Sequence, residues 1–102
     1  MSIRAIDRAG SALRLAEASV AASAHNSANV LTDGFRRINV TGAEAASGGV
    51  TAQVSAAPAE APSADPVADA VERRTAAVFY RANLAVVRAA DELTGKVVDL
   101  VG

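Results

Sequence analysis

Two segments with helical patterning occupy the ends of this chain, and the stretch between them is too poor in large apolar residues to build a core. The first and last thirds carry regularly spaced apolar residues, whereas the middle is rich in Gly, Ala, Pro, Ser and Thr. A stable fold must therefore come from packing the two terminal segments against each other or against another chain.

Alanine supplies much of the apolar content. The 102 residues are 51% hydrophobic, yet only Phe35, Phe79 and Tyr80 are aromatic and there is no Trp. An alanine buries little area at about 25 cal/mol per Å², but it has the highest helix propensity and allows backbones to approach closely. The composition predicts one small domain of thin helices that pack side by side, within a hairpin or between subunits.

Charge and cysteine content limit which partners and which chemistry are expected. The formal net charge is −1 and no run of one sign occurs, so no nucleic-acid partner is expected. The chain has no Cys, which excludes disulfides and thiol catalysis. It lacks a charged-then-apolar start with a cleavage site, and no apolar run approaches the roughly 20 residues of a bilayer span. If the protein leaves the cytoplasm, it is expected to do so without an ordinary cleaved signal.

The spacing predicts a first helix over roughly residues 3 to 31. Its apolar residues recur every seven positions with alanines between them, as Ile6, Leu13 and Val20 with Ala9 and Ala16. This is the stripe of a packing seam. Gly34 is expected to close the helix at Thr32-Asp33-Gly34, because glycine readily adopts the left-handed conformation.

A second helix is predicted from Pro66 to about residue 100. Asp65 is a good N-cap, and Pro66 fits the first helical position. A heptad seam follows, made of Phe79, Val86, Leu93 and Leu100 with the companion row Ala76, Asn83, Ala90 and Val97. Another apolar row lies beside it, made of Tyr80, Leu84, Val87, Val98 and Val101.

This apolar surface is wider than one thin partner helix can cover. The leftover row needs lipid, a second subunit or another protein, and we expect self-association or co-assembly rather than a lone monomer. Asn83 occupies a seam position, where a polar group can set register and partner number. The other interpretation is that Asn83 lies half exposed at the edge of the seam.

The middle is predicted to be a connector. Stretches around Ile38 and Val40 and over 50–54 have β-branched character, and they form either a short β-hairpin or a loosely extended loop, because two strands alone are marginal. An Ala/Pro linker covers 56–66. We therefore predict a mainly α fold in one domain, an antiparallel two-helix hairpin or coiled coil, divided into 1–34, 35–65 and 66–102.

No constellation of residues predicts catalysis. His25 is the only His, so a His-rich metal site is impossible. Asp91 and Glu92 are adjacent on a helix and point about 100° apart, so they do not converge on one atom. The Gly48-Gly49 pair lacks the Lys of a phosphate loop. We expect no enzymatic activity, cofactor, metal or small-molecule substrate.

Two runs resemble a known family. The run Ser-Ala-His-Asn-Ser-Ala-Asn-Val-Leu-Thr-Asp-Gly-Phe-Arg over 23–36 resembles the amino-terminal motif of bacterial flagellar rod and hook proteins. That motif is, in essence, Ala-x-Asn-apolar-Ala-Asn-x-x-Thr-x-Gly-aromatic-basic. Residues 9–13 resemble the start of the C-type proximal rod proteins. The run over 81–93, with Arg-Ala-Asn-Leu at its start and Asp-Glu-Leu at its end, resembles the carboxyl-terminal helix of the same family.

The resemblance implies a structural subunit of the flagellar basal-body rod in the periplasm. In that family the terminal helices pair into a coiled coil and subunits stack around an export channel. The implied partners are other rod subunits, further copies of this chain and the flagellar export apparatus, which delivers subunits without signal cleavage. Carried over by position, the assembly residues would be Asn26, Asn29, Thr32, Gly34, Phe35 and Asn83. The heptad spacing adds as packing residues the apolar Ile6, Leu13, Val20, Phe79, Val86, Leu93, Val97 and Leu100.

The chain departs from the family pattern in two respects. Ser27 stands where the family usually has Ile or Leu, and the middle is shorter, without the usual globular domain. The chain would be a minimal rod subunit or a relative that has lost the filament role. The alternative function is a small amphipathic helical hairpin that binds a partner protein outside a flagellum.

Overall fold

The structure, a computed structural model, describes residues 3–58 and 60–101. It contains helix α1 (Ile3–Ala28), strands β1 (Ile38–Glu44) and β2 (Val50–Ala56), and helix α2 (Pro66–Val101). Met1, Ser2, Ala59 and Gly102, which the predicted segments include, lie outside the described residues. The mainly helical architecture with a small antiparallel sheet between the helices agrees with the sequence prediction.

Helix α1 ends at Ala28, three residues before the predicted end. The Asn29 side chain donates a hydrogen bond from Nδ2 to the His25 carbonyl oxygen (2.9 Å), which satisfies one of the free carbonyls at the helix end. Two turns follow, closed by bonds from Thr32 N to Asn29 O and from Phe35 N to Thr32 O. Gly34 has the predicted left-handed conformation (φ 71°). It directs the chain toward β1 instead of capping the helix itself.

Helix α2 begins as local sequence chemistry dictates. Asp65 accepts a hydrogen bond at Oδ1 from the Ala68 backbone N–H (3.1 Å), and Pro66 is the first helical residue. The helix then runs 36 residues to Val101. At 1.5 Å per residue it is about 54 Å long, which accounts for most of the 62 Å length of the molecule.

The two strands form an antiparallel hairpin. Ile38 pairs with Ala56 at the open end, and Glu44 pairs with Val50 at the turn. Gly48 and Gly49 both have positive φ (92° and 80°), a conformation that residues with a Cβ rarely adopt. The hairpin alternative predicted for the middle is therefore the observed one.

Packing against α1 supports a hairpin that would be marginal alone. The Val50 backbone N–H donates to Ser11 Oγ (3.1 Å). The Leu15 side chain lies over Gly42 so closely that a Cβ added there would come within 2.8 Å of it. The sheet therefore lies directly against one side of α1.

The two helices pack through small side chains. The buried residues of α1 include Ala9, Ala16, Ala22 and Ser23, and those of α2 include Asp69, Ala76 and Ala90. Ser23 bonds to Asp69 near the start of α2, whereas Ala16, earlier on α1, lines the same depressions as Ala76, later on α2, so the helices run in opposite directions. Close approach through alanines leaves no room for bulky residues between the helix axes.

The bulky apolar rows consequently flank this contact. Ile6 and Leu13 are half-buried and Val20 is exposed. On α2 the predicted row of large residues is exposed at Phe79 (60%), Val86 (38%), Leu93 (45%) and Leu100 (87%). The row that faces α1 is instead the companion row of Ala76, Asn83 and Ala90, with Tyr80, Leu84 and Val87 half-buried beside it.

Helix α2 extends beyond its contact with the rest of the molecule. Ala90 is its last buried residue, and each residue from Asp91 to Val101 is exposed. Val97, the last member of the companion row, lies in this extension and is exposed as well. The carboxyl-terminal turns thus present apolar side chains that no described part of the chain covers.

Overpacking the contact between the helices should destabilise the protein. We predict that Ala90→Leu lowers the free energy of unfolding by about 1–3 kcal/mol, because Ala90 is buried (2% exposed) and the larger side chain would overpack its site. Ala70→Leu is the matched control, since Ala70 is exposed on the same helix, and it should change the value by less than about 0.5 kcal/mol. Urea unfolding followed by circular dichroism measures both, and equal values would contradict the close contact.

Candidate functional site

A buried ion pair lies where α1, β1 and α2 meet. The Arg37 guanidinium, just before β1, donates two hydrogen bonds to the Asp69 carboxylate in the first turn of α2, Nη2 to Oδ1 (2.5 Å) and Nη1 to Oδ2 (3.1 Å). The two side chains are only 9% and 3% exposed. Such a bidentate pair fixes orientation as well as distance, so it links the hairpin to the second helix.

The pair remains ionised because each charge is compensated. The hydrogen bonds from Arg37 hold the pKa of the Asp69 carboxyl below its ordinary value, although burial acts in the opposite direction. The hydrogen bond to Asp69 likewise raises the pKa of Arg37. The site therefore holds a buried carboxylate and a buried guanidinium with little net charge.

Two serines of α1 complete the surroundings of Asp69. Ser23 Oγ, which is fully buried, donates to the Asp69 backbone oxygen (2.8 Å). Ser27 Oγ lies 3.4 Å from Asp69 Oδ2 and accepts a bond from Arg73 Nη1 (3.2 Å). Ser27, which departs from the apolar residue of the family pattern, is thus a hydrogen-bonding neighbour of the buried carboxylate.

Asn26 joins α1 to the first residue of β1. Its Nδ2 donates to the Ile38 carbonyl oxygen and its Oδ1 accepts from the Ile38 N–H, both at 2.9 Å. The side chain is 1% exposed and pairs with the strand as a neighbouring strand would. On the other side of the same segment, Ala57 N donates to Arg37 O and Arg36 Nε donates to Ala57 O, both at 2.7 Å.

The turn between α1 and β1 holds the remaining polar residues of the first motif. Thr32 Oγ1 donates to Asn29 Oδ1 (3.2 Å), and the His25 and Phe35 rings are 5.3 Å apart and tilted. Asn29 and Phe35 are partly exposed, and Thr32 and Gly34 are exposed. The motif residues Asn26, Asn29, Thr32, Gly34 and Phe35 are therefore gathered around one turn that leads into the buried pair.

Asn83 lies apart from this cluster, half-buried beside an open groove. Its Nδ2 donates to the Phe79 carbonyl oxygen within α2 (2.8 Å). The groove has a volume of about 530 Å³ and runs between the helices and the hairpin, with Leu15, Val40, Val71 and Phe79 in its walls. Asn83 thus occupies the edge position that was one of its two sequence interpretations.

Sequence reasoning missed the buried pair and Ser23. Asp69 has the seven-residue spacing of Ala76, Asn83 and Ala90, and Ser23 continues Ala9 and Ala16 in the same way. The sequence signal for Asp69 is that an acidic residue continues the seven-residue spacing of a row that includes alanines. Nothing in the sequence indicates that Arg37, rather than the adjacent Arg36, is its partner.

The described part of the chain offers little else for chemistry. Over residues 3–58 and 60–101, no three His, Cys, Asp or Glu side chains come together as metal ligands. Neither described helix is long and apolar enough to cross a membrane. Within the same ranges, each buried side-chain nitrogen or oxygen has a hydrogen-bond partner.

Comparison with known proteins adds no relative. No protein-family model matches the chain, and a search of curated proteins finds no significant match.

Removing one partner of the buried pair should strongly destabilise the protein. We predict that Arg37→Met lowers the free energy of unfolding by about 3–5 kcal/mol, because it leaves the Asp69 charge buried and unpaired. Arg74→Met, at an exposed arginine of α2, should change it by less than about 0.5 kcal/mol. The double variant Arg37→Met with Asp69→Leu should lose less than Arg37→Met alone, because no buried charge remains.

The lowered pKa of Asp69 predicts an acid dependence of stability. The stability that the ionised Asp69 contributes is complete above 3.8, the ordinary pKa of the carboxyl. This stability is lost as the pH falls through the lower pKa of the folded state. The stability difference between the wild type and Asp69→Asn should therefore shrink as the pH falls from about 7 to about 2. Asp91→Asn is the control at an exposed carboxylate. If the stability difference between the wild type and Asp69→Asn stays constant with pH, the ionised pair is contradicted.

Proposed function

We propose that this protein is a structural subunit of the bacterial flagellar basal-body rod, delivered by the flagellar export apparatus without a cleaved signal. The observation that carries the proposal is the family resemblance of two separate runs, 23–36 and 81–93, in the family's order. These runs lie at the end of α1 and within α2, the two helices that pack together. Structural subunits need such terminal helices and exposed apolar surface, and they need no catalytic group.

Buried and exposed residues would have different roles in assembly. Asn26 makes both side-chain bonds within the chain, to Ile38, and is buried. It would therefore serve assembly indirectly, by fixing the hairpin on α1. The exposed apolar residues of α2, among them Phe79, Leu93 and Leu100, would contact neighbouring subunits directly.

We propose further that α1 and α2 pair as an antiparallel coiled coil in the assembled subunit. The buried residues of the contact fall on heptad positions, as Ala9, Ala16 and Ser23 on α1 and Asp69, Ala76 and Ala90 on α2. A repeat of seven keeps one seam facing its partner over several turns. The polar members would fix the register of the pair, as buried polar groups do in coiled coils.

The groove beside Asn83 supports the alternative function, a hairpin that binds a partner protein outside a flagellum. A depression of about 530 Å³ with mainly apolar walls could receive a segment of another protein. The two functions differ in where the protein is found, because only a rod subunit would fractionate with basal bodies.

Deletion of the gene in its own bacterium tests the rod function. We expect loss of hooks and motility, because distal structures cannot be built without a rod subunit. Both should return with the wild-type gene, and an epitope-tagged copy should fractionate with purified basal bodies. Electron microscopy and swimming assays provide the measurement, and normal hooks with normal swimming in the deletion strain would overturn the proposal.

A further inference from the structure

One side of α2 is apolar along nearly its whole length and is exposed. Residues spaced three and four apart share a helix face, and the steps from residue 71 to residue 100 trace one such face. We call this face the outer stripe, and it consists of Val71, Thr75, Phe79, Ala82, Val86, Ala89, Leu93, Val97 and Leu100. All nine residues are exposed and none is charged.

The charges beside the outer stripe are separated along the helix. Another face, reached by three- and four-residue steps from Arg74 to Asp99, borders the stripe on the side away from α1. It carries Arg74, Arg81 and Arg88 in its first part. In the last turns, Glu92 and Asp99 outnumber Lys96. The flank is therefore basic toward one end of the stripe and acidic toward the other.

We propose that two copies of this chain pair through their outer stripes, with the two α2 helices antiparallel. Reversing the second helix places its acidic end beside the basic part of the first, and the same holds at the other end by symmetry. In a parallel pair the two flanks would lie on opposite sides of the contact, so the basic part of one flank could not meet the acidic part of the other. The flank charges therefore favour a second copy in one orientation, because a two-fold contact requires a surface that is complementary to itself.

Side-chain size and helix length agree with this arrangement. Large and small residues alternate along the middle of the stripe, from Phe79 through Ala82, Val86 and Ala89 to Leu93. Large side chains of one helix can then pack over alanines of the other. Since the part of α2 beyond Ala90 has no described partner in its own chain, it is free to lie along the first part of α2 in an antiparallel copy.

This pair does not depend on the rod function. A two-fold contact closes on itself, so it belongs to the free subunit. In a polar rod the same stripe would face other neighbours, and the pair would have to separate before incorporation. Failure of the deletion test would leave the pair intact, and failure of the pair would leave the rod function untouched.

Val97 and Val98 give a matched test of the stripe. They are neighbours of the same type with similar exposure, 58% and 61%, but only Val97 lies on the stripe. Sedimentation equilibrium should show a wild-type dimer. Val97→Asp should raise the dissociation constant of this dimer at least tenfold, because it removes an apolar contact and buries a charge. Val98→Asp should leave the dimer unchanged, and circular dichroism should show equal helix content in all three.

The orientation is tested by a single spin label. The chain has no native cysteine, so Ala70→Cys, exposed and off the stripe, can be labelled alone in the full chain. Antiparallel helices should give a label separation above about 40 Å, because the helix rises about 1.5 Å per residue. A parallel pair would give less than about 30 Å at ordinary helix spacing. A short separation, a wild-type monomer at all concentrations, an open-ended rise in mass, or equal effects of the two valine variants would each overturn the proposal.

Discussion

The buried ion pair between Arg37 and Asp69 is the interaction on which the rest of the fold depends. Arg37 belongs to the segment that enters the hairpin and Asp69 to the start of α2, so one contact fixes two elements that share little other buried surface. Ser23 adds α1 to the same point through the Asp69 backbone oxygen. A buried charge is costly unless it is paired and hydrogen-bonded. The arrangement therefore tolerates little displacement of any of the three elements.

This polar junction compensates for a thin apolar core. The buried apolar residues are alanines, which contribute little transfer free energy each, and the largest fully buried side chains are Asn26 and Ser23. Hydrogen bonds and one ion pair therefore specify how the helices and the hairpin meet, while the alanines allow the close approach. Because the large apolar side chains are not needed between the helices, they remain on the outside. Large apolar side chains on the exterior are thus a direct consequence of a core built from small residues.

The helices could be predicted because their ends depend on neighbouring residues. The polar junction could not be predicted because its residues lie far apart in the sequence. Asp65 and Pro66 fix the start of α2 through their own backbone preferences, and Gly34 has the expected left-handed conformation although it lies beyond the helix end. The end of α1 was placed too late because the bond from Asn29 to His25 O was not foreseen. The heptad pattern placed the large residues of α2 in the contact between the helices, whereas Ala76 and Ala90 of the companion row are the buried ones and the large residues are exposed. The Arg37–Asp69 pair joins positions 32 residues apart, and no periodicity connects them.

The separation of polar junction and apolar exterior has a consequence for association. Over residues 3–58 and 60–101, each buried side-chain polar atom has its partner within the chain, so the interior needs no other protein to satisfy its hydrogen bonds. The carboxyl-terminal part of the stripe, with Leu93 and Leu100, lies at the opposite end of α2 from the junction, so its contacts can form and be lost without disturbing the junction. A change in this part of the stripe should alter association at constant fold stability, whereas a change at Asp69 should alter stability first and association only as a result.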